Sequence, residues 1–412
     1  MWSVVTASYM EGMSKTIMLL GGSRYALPVI KTAHDMDCKV ITCDYLPDNI
    51  AHRYSDGYEN VSIVDKDAVL KASERIKIDG IMSFACDPGV VTAAYVAEKM
   101  GLPYGGSYKS VSILQNKNLF RDFLSQHDFN VPKHWAGNSP EKAMEEITGF
   151  QFPVIVKPTD SAGSKGVTKV ESIDDLKEAI QLAEMNSIEG GFIIEEYLES
   201  LGHPSDSDCF SIDGKLEFVS WSSQRFDKNC VNPFAPAGFT WETSISPDYR
   251  EELRNELQRL LTLLDMKTSI YNIETRVAKN KKAYIMEVSP RGGGNRLAEM
   301  IKHVTGVDLI ELSVKAAMGE KVGPFPEYGM DNGWAEVVIH SQKGGHFKKL
   351  KIADEVSHYI IERDIWVEEN ETIGEFTGAN KAIGTLVFKF DDKELMERVM
   401  SNPSDYISVD VV

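Results

Sequence analysis

The amino-acid sequence predicts an α/β protein: a doubly wound parallel-sheet domain, then an α+β part, then a strand-rich C-terminal segment. Three observations carry this. Up to Met100, short apolar runs alternate with stretches of helical period, the pattern of a parallel sheet with helices on both faces. From Asn116 the runs come in pairs joined by turn residues, as at Asp213-Gly214 and around Asn280, which marks hairpins. From about Trp334 strand-like segments dominate.

Thr16–Leu20 is an apolar run ending in Gly21-Gly22, followed by a helical stretch from about Ala26 to Met36 and a strand at Lys39–Cys43 ending at Asp44. Val61–Val64 and Gly80–Phe84 read as further strands, with helices at Lys66–Arg75 and Pro88–Met100. Ligands of such sheets sit at the carboxyl ends of the strands. Lys117–Gln126 reads as a helix, Phe152–Lys157 as a strand, Ser172–Met185 as a helix opened by an acidic cap region, and Gly191–Tyr197 as a strand. A hairpin at Cys209–Val219, an amphipathic helix at Tyr249–Leu264, a second hairpin from Ser269–Val277 and Ala283–Val288, and a helix at Leu309–Met318 follow. Ala335–His340, Val356–Glu362 and Gly384–Phe390 are the strands of the tail. The expected divisions are 1–12 as a disordered extension, with Met13 as an alternative start, then 13–115, 116–330 and 331–412. A chain of 412 residues is too long for one ordinary core.

Composition narrows the function. Acidic residues number 62 against 44 basic ones, a formal charge of −18. That balance argues against nucleic acid and against an anionic membrane surface, both of which call for a basic face. Cys38, Cys43, Cys86, Cys209 and Cys230 form no CxxC pair, as expected in a reducing compartment. No apolar run approaches the roughly 20 residues of a membrane helix, and Met1–Gly12 lacks the form of a secretory signal. The expectation is a cytoplasmic protein.

The Gly21-Gly22-Ser23-Arg24 turn matches a dinucleotide-binding G-x-G-x-x-G poorly, and a tight turn of a doubly wound sheet explains it as well, with Asp44 near where a ribose carboxylate would stand. Phe152-Pro153-Val154-Ile155-Val156-Lys157-Pro158 places a lysine at the end of a buried strand, where it should meet an anion. Ser161-Ala162-Gly163-Ser164-Lys165-Gly166-Val167 offers small residues and backbone N–H groups that can wrap phosphate oxygens, or simply form a flexible turn. Phe192-Ile193-Ile194-Glu195-Glu196-Tyr197-Leu198 ends an apolar strand in two acids. Glu274 and Glu287 each interrupt an apolar strand of one hairpin, and strict alternation groups Ile285, Glu287 and Ser289 on one face and Tyr284, Met286 and Val288 on the other. Two half-buried carboxylates on paired strands suit Mg²⁺ with phosphates and water. Arg291 can hold a planar oxyanion through two hydrogen bonds or serve a structural salt bridge.

In this order and spacing, from Ile17 to about Gly319, the motifs resemble the ATP-grasp superfamily. The resemblance implies a pre-grasp domain in the first part, a two-lobed ATP-grasp α+β domain over 116–330, and ATP with Mg²⁺ as cofactors. It implies phosphate contacts from Lys117, within Asn116-Lys117-Asn118-Leu119-Phe120, and from Lys157. Ser161, Ser164, Lys165 and Gly166 would belong to a mobile loop over the phosphates. Glu195 would accept from the adenine amino group, with the Glu196 and Leu198 backbones, around Tyr197, completing the contact. Glu274 and Glu287 would be the metal carboxylates. Arg291 would steady an acyl phosphate or the substrate. Two departures stand out: Ser289 where the family usually has Asn, a poorer metal ligand, and, after the hinge, His203, Asp206 and Asp208 as rival ribose contacts. Arg225 and Lys228, after an expected cleft strand, are candidate substrate or phosphate contacts or a solvated basic turn, and 232–238 should border the acceptor site. The layout is most similar to carboxylate–amine ligases and carbamoyl-phosphate-synthase-like proteins, which implies activation of a carboxylate as an acyl phosphate and its capture by an amine, with small-molecule substrates and a homodimer compatible with related folds. The rivals are a bicarbonate-using carboxylase type, a non-catalytic ATP-binding regulator, and a dinucleotide-dependent oxidoreductase resting on Gly21-Gly22 and Asp44.

Overall fold

The computed structural model describes residues 14–161 and 163–412, so the extension expected at 1–12 lies outside the described residues. The first sheet joins β1 (Thr16–Leu20), β2 (Lys39–Cys43), β3 (Gly57–Glu59) and β4 (Gly80–Ser83) in the order β3-β2-β1-β4, all parallel. Helices α1 (Leu27–Asp35), α2 (Lys66–Ile76) and α3 (Asp87–Met100) connect and flank these strands. The third strand lies at Gly57–Glu59 rather than the expected Val61–Val64: its ladder with β2 closes at Cys43↔Glu59, and a turn from Ser62 O to Asp65 N leads straight into α2. Asp65 caps α2 by accepting from Ala68 N, and Gly101 ends α3 in the left-handed region.

Helices α4 (Tyr108–Gln115) and α5 (Lys117–Gln126) lead out of this unit, α5 opened by the Asn116 side chain on Leu119 N. A second, antiparallel sheet follows, from β5 (His134–Gly137), β6 (Val154–Pro158), β7 (Thr168–Val170) and β8 (Phe192–Glu196) in the order β5-β8-β6-β7. It buries Val154, Val156, Phe192 and Ile194 against α6 (Pro140–Glu146) and α7 (Leu176–Met185). The expected helix from Ser172 begins as a 3-10 turn and becomes α-helical only at Leu176.

The third sheet, β10-β9-β13-β14, is antiparallel: β9 (Ser205–Ile212), β10 (Lys215–Val219), β13 (Ser269–Val277) and β14 (Ala283–Ser289). Helix α8 (Pro247–Leu263) covers one face with Leu253, Leu257, Leu260 and Leu261. On the other side α9 (Leu297–Thr305) and α10 (Leu309–Ala317) share one core with the first sheet, joining Ile17, Leu19 and Met82 to Phe210, Phe218 and Ile270. This shared core brings the carboxyl ends of β1 and β4 up to the end of β14.

The tail forms a sheet with two earlier strands, in the order β11-β12-β15-β19-β17: β11 (Ser223–Phe226), β12 (Pro236–Thr240), β15 (Trp334–Ile339), β17 (Ile360–Ile365) and β19 (Gly384–Lys389). A smaller sheet of β16 (Gly345–Ile352), β18 (Thr372–Ile373) and β20 (Ile407–Val411) and helices α11 (Asp354–Ser357) and α12 (Lys393–Ser401) complete it. The strand expected at Val356–Glu362 is a helical turn followed by β17, because Val356 enters the core from that turn. No helix among the described residues is long and apolar enough to cross a membrane.

Candidate active site

The site is built on the polar face of the third sheet. Glu274 on β13 is the register partner of Glu287 on β14 and of Asp206 on β9, so three carboxylates form one row across three strands. Two residues along, Asn272 is the partner of both Ser289 and Asp208, a second and parallel row. A bulge between Glu274 and Thr275 puts Ile285 opposite Thr275 and leaves Met286 out of the ladder. The alternation expected from sequence therefore fails at Ile285, which joins Val288 in the core under α8, while Glu287 stays on the polar face. A bulge of this kind re-aims side chains beside a site.

Like charges placed opposite each other repel, and the remaining groups of the face offset this incompletely. Asn272 Nδ2 donates to Asp206 Oδ1 at 2.8 Å and to Asp208 Oδ1 at 3.2 Å. Gly293 N donates to Asp208 Oδ1 at 2.9 Å. Burial, and for Asp206 also the Glu274 charge, push these two carboxyls up to about 8 for Asp206 and about 7 for Asp208. The row is one of strand register, and carboxylate oxygens on neighbouring strands are the donor type that a hard divalent cation such as Mg²⁺ takes.

Lys117 opens α5 beside this row, its Nζ 3.7 Å from Glu287 Oε2 and 2.9 Å from Ser161 O. One side chain thus touches both a sheet carboxylate and the glycine-rich loop. The loop turns through left-handed conformations at Gly163, Ser164 and Gly166, and a Cβ on Gly166 would meet Asn186 Cβ at 2.9 Å. Ser164 Oγ donates to Phe234 O at 3.1 Å, and Asn232 Nδ2 donates to Ser164 O at 3.1 Å and to Thr377 O at 3.0 Å. Segment 232–238, expected to border an acceptor, is where the loop docks. Lys165 is exposed.

Lys157 does meet an anion: its Nζ lies 2.5 Å from Glu195 Oε2, and Arg121 Nε lies 2.6 Å from Glu195 Oε1. Although burial opposes it, Arg121 and then Lys157 hold the Glu195 carboxyl well below its ordinary range. Glu195, 2% exposed, is therefore committed to two cations rather than open to an adenine amino group, which corrects the expectation for its side chain. Burial, against the pull of Glu195, lowers the Lys157 ammonium. The Glu196 carboxylate accepts from Gln151 N at 2.9 Å, Leu198 O accepts from Arg276 at 3.0 Å, and Lys169 lies over the Tyr197 ring.

Three further expectations need correction, and the carboxylate behind one rival reading is engaged in its own turn. Ser289 Oγ donates to Asp87 Oδ1 at 2.8 Å and accepts from Gln115 Nε2 at 2.7 Å, so its hydroxyl is already engaged and buried instead of standing free as a metal ligand. Arg225 is enclosed, with Glu397 bidentate at 2.8 and 2.9 Å and Thr240 at 3.1 Å, so its donors face α12 rather than a substrate. His203 Nε2 accepts from Arg225 at 2.9 Å and packs there, away from any ribose role. Burial and then Arg225 lower the His203 ring. Asp44 accepts from Gly22 N at 3.0 Å and from Asn49 at 2.9 Å, so the carboxylate behind the oxidoreductase rival closes its own turn. Lys228 is exposed, on the loop after β11.

Arg291 is held by Asp87, the first residue of α3, through Nε at 2.9 Å and Nη2 at 2.6 Å. Its guanidinium is anchored to the first unit, and Asp87 is a site residue the sequence motifs did not reveal. The next residue approaches the first sheet so closely that a Cβ on Gly292 would meet Phe84 at 2.3 Å. Beyond it, a cavity of about 750 Å³ opens between α1 and β17, lined by Arg24, Tyr25, Arg296, Glu299, Glu362 and Trp366 among others.

Residues 150–299, which hold the loop, the row of carboxylates and Arg291, match the family model of the ATP-grasp domain. That stretch is similar to an ATP-grasp domain. It is 25% identical over 334 residues to the carbamoyl phosphate synthase large chain of Thermoanaerobacter sp. (strain X514), a match covering 78% of this chain and 29% of that protein. The chain thus spans less than a third of that relative's length. Its fold is that of an L-amino acid ligase from Bacillus licheniformis (TM-score 0.79, 18% identity, 97% of this chain and 99% of that one). It is likewise similar to phosphoribosylglycinamide synthetase from Anaerococcus prevotii (TM-score 0.74, 19% identity, 97% and 100%).

Proposed function

We propose that this ATP-grasp protein is an ATP-dependent ligase that activates a carboxylate as an acyl phosphate and joins it to an amine, releasing ADP and phosphate. The observation that carries the reading is the row Asp206–Glu274–Glu287 beside Lys117 and the glycine-rich loop. Mg²⁺ held by Glu274 and Glu287, with Asp206 at hand, would neutralise the triphosphate and polarise its terminal phosphoryl group. Asn272, directly across from Ser289, would supply the amide oxygen that position 289 lacks. Lys117 would bind phosphate oxygens while tying down the loop through Ser161. Lys157 would contribute a second positive charge, kept in place by Glu195. Docking of Ser164 on Asn232 and Phe234 would close the loop and keep water from the reactive acyl group. Arg291, oriented by Asp87, would present its remaining donor edge to the reacting oxyanion.

The cavity between α1 and β17 carries charges of both signs, Arg24 and Arg296 against Glu299 and Glu362, beside the aromatic rings of Tyr25 and Trp366. Such walls suit a small zwitterion, and an amino-acid-like acceptor is the substrate class we assign to them. A cytoplasmic homodimer belongs to the same reading.

The test is ADP formation from Mg-ATP with pooled amino acids and small carboxylates, comparing the wild type with Glu287→Ala. Release stimulated by a pool and abolished by the substitution supports the ligase. Stimulation by bicarbonate alone points to a carboxylase-type reaction. Tight ATP binding without stimulated release by any pool points to a regulator.

A further inference from the structure

Away from the carboxylate rows, a second set of metal-ligating side chains meets where the loop after β11 faces the end of β15. A carboxylate oxygen of Asp227, the sulfur of Cys230 and a ring nitrogen of His340 all lie within 4.8 Å of one another. Asp227 and Cys230 are buried, and the His340 side chain is 8% exposed. None of the three has a part in the proposed ligase reaction.

The orientation of each group is fixed by its surroundings. His340 Nδ1 lies 2.7 Å from Val338 O, and since a carbonyl only accepts, that nitrogen donates. Nε2 lies 3.0 Å from Asp227 Oδ2 and, a carboxylate oxygen accepting only, donates as well, so the ring is an imidazolium paired with Asp227; it stacks on Phe376 with centroids 4.3 Å apart. Donation of one ring N–H to a backbone carbonyl, with the other nitrogen turned to a cluster, is the outer support that metal-bound histidines carry. Asp227 is set by Asn229 N at 2.8 Å, Ser404 Oγ at 3.2 Å and Gln342 Nε2 at 3.3 Å. Cys230 N closes the turn on Asp227 O at 3.3 Å. Burial, followed by the Asp227 charge, pushes the Cys230 thiol up to about 12, a cost that a cation between sulfur and carboxylate would reverse.

We propose that Asp227, Cys230 and His340 bind one zinc-class ion, with a water as its fourth ligand. Thiolate and imidazole together select a borderline-soft metal, so the site is chemically distinct from the all-oxygen row that suits Mg²⁺. On binding, two protons leave to solvent, the Cys230 thiol proton and the one by which His340 Nε2 bonds Asp227, and the freed Nε2 lone pair meets the ion while Nδ1 keeps its bond to Val338 O. The consequence lies two residues on. Asn232, two residues after Cys230, and Phe234, four after it, receive the glycine-rich loop through Ser164. An ion at 227–230 would fix that landing surface while leaving the phosphate site unmodified.

The full-length chain, prepared without a histidine tag and equilibrated with Zn²⁺ and then metal-free buffer, is analysed by elemental mass spectrometry. One zinc per chain is expected, together with a thiolate-to-metal charge-transfer band when Co²⁺ replaces Zn²⁺. Cys230→Ser should abolish that band, and His340→Gln should weaken zinc binding about 100-fold or more, as loss of a ligand exceeds loss of an outer partner. Glu287→Gln should leave the zinc content unchanged. Site-resolved alkylation of the wild type adds a readout that no folding defect can confuse: Zn²⁺ should protect Cys230. Far less than one zinc per chain, a zinc content indifferent to Cys230→Ser, or equal alkylation of Cys230 with and without Zn²⁺ would each overturn the assignment.

Discussion

Glu274 stands directly opposite Glu287 on one neighbouring strand and opposite Asp206 on the other. Removing one charge from such a row should have opposite effects with and without metal. In chelator, Glu287→Gln relieves cross-strand repulsion but gives up the Lys117 Nζ contact at 3.7 Å, and the net effect should be a stabilisation of no more than about 0.5 kcal/mol. With Mg²⁺ and a non-hydrolysable ATP analogue, the same variant should lose the ligand-induced rise in Tm that the wild type shows. Its ADP formation should fall roughly 10²–10³-fold, as when one preorganised electrostatic group is removed. A variant destabilised in chelator would contradict the row.

Asp206 gives this site a pH dependence whose sign follows from its raised value. Burial and Glu274 lift its carboxyl to about 8 in the folded chain. The folded chain then keeps a proton that an unfolded chain releases near the ordinary carboxylate value. That contribution to stability is complete below the unfolded value and is lost as pH rises through about 8. Because Mg²⁺ requires the ionised form, metal affinity should climb between pH 6 and 8. In Asp206→Asn both slopes should flatten, as measured by urea unfolding and by Mg²⁺ titration across that range. Parallel slopes in variant and wild type would assign the titration to another group.

What the sequence disclosed and what it hid separate along a physical line. Lys157, Glu274 and Glu287 stand out because a charged residue interrupting or ending an apolar strand is anomalous locally, whereas Lys117, at the start of a helix, stands out only through the family resemblance of its motif. Asp87 and Glu397 do not, because their partners Arg291 and Arg225 lie 204 and 172 positions away. An acid at a helix start and an acid on an amphipathic helix look ordinary until the fold brings an arginine to each. For the same reason Arg225 and His203 resemble free site residues in the sequence and prove to be engaged, Arg225 by Glu397 of α12 and His203 by Arg225. Helix α9 escaped detection because its start follows a glycine run, with Asn295 and Arg296 both in the left-handed region. The bulge that moves Ile285 to the core has no sequence signal either, since period-two alternation assumes an unbroken ladder.

The exchange between Ser289 and Asn272 can be tested by comparing two substitutions on paired positions. Ser289 is engaged by Asp87 and Gln115, whereas Asn272, in the middle of the second row, donates its amide N–H to Asp206 and Asp208 and keeps its amide oxygen for a cation. Asn272→Ala should therefore weaken Mg²⁺-dependent nucleotide binding roughly 10–100-fold. Ser289→Ala should leave it within about threefold and act mainly on stability, through a lost hydrogen bond worth about 1 kcal/mol. Calorimetric titration of both variants decides, and the reverse order of effects would return the ligand role to Ser289.

Asp87 holds Arg291 across the boundary between the first sheet and β14. Asp87→Ala leaves a buried guanidinium without its bidentate partner, a loss of about 3–5 kcal/mol for a buried pair. The opposing push of burial is outweighed by Arg291, which keeps the Asp87 carboxyl below its usual value. The pair's contribution is thus present above the ordinary carboxylate value and lost only as pH falls through the depressed one. Urea unfolding at neutral pH should show the full difference between wild type and Asp87→Ala, and the difference should shrink in acid. A difference under 1 kcal/mol at neutral pH would mean that Arg291 finds another anion there.

Asn232 joins the glycine-rich loop to the tail, bonding Ser164 O and Thr377 O with one amide. Asn232→Ala removes both bonds without touching a lysine or a carboxylate of the proposed phosphate site. If closure protects the acyl phosphate, the variant should still bind Mg-ATP but leak the intermediate to water. ADP release without the amine should rise, and the yield of ligated product per ADP should drop several-fold, with the KM for ATP raised more than kcat falls. Measuring ADP and product in one reaction separates this from a simple loss of activity. Equal losses of both at constant ratio would show that the contact fixes structure only, because a loop that excludes water must change the partition between amine and water when it is loosened.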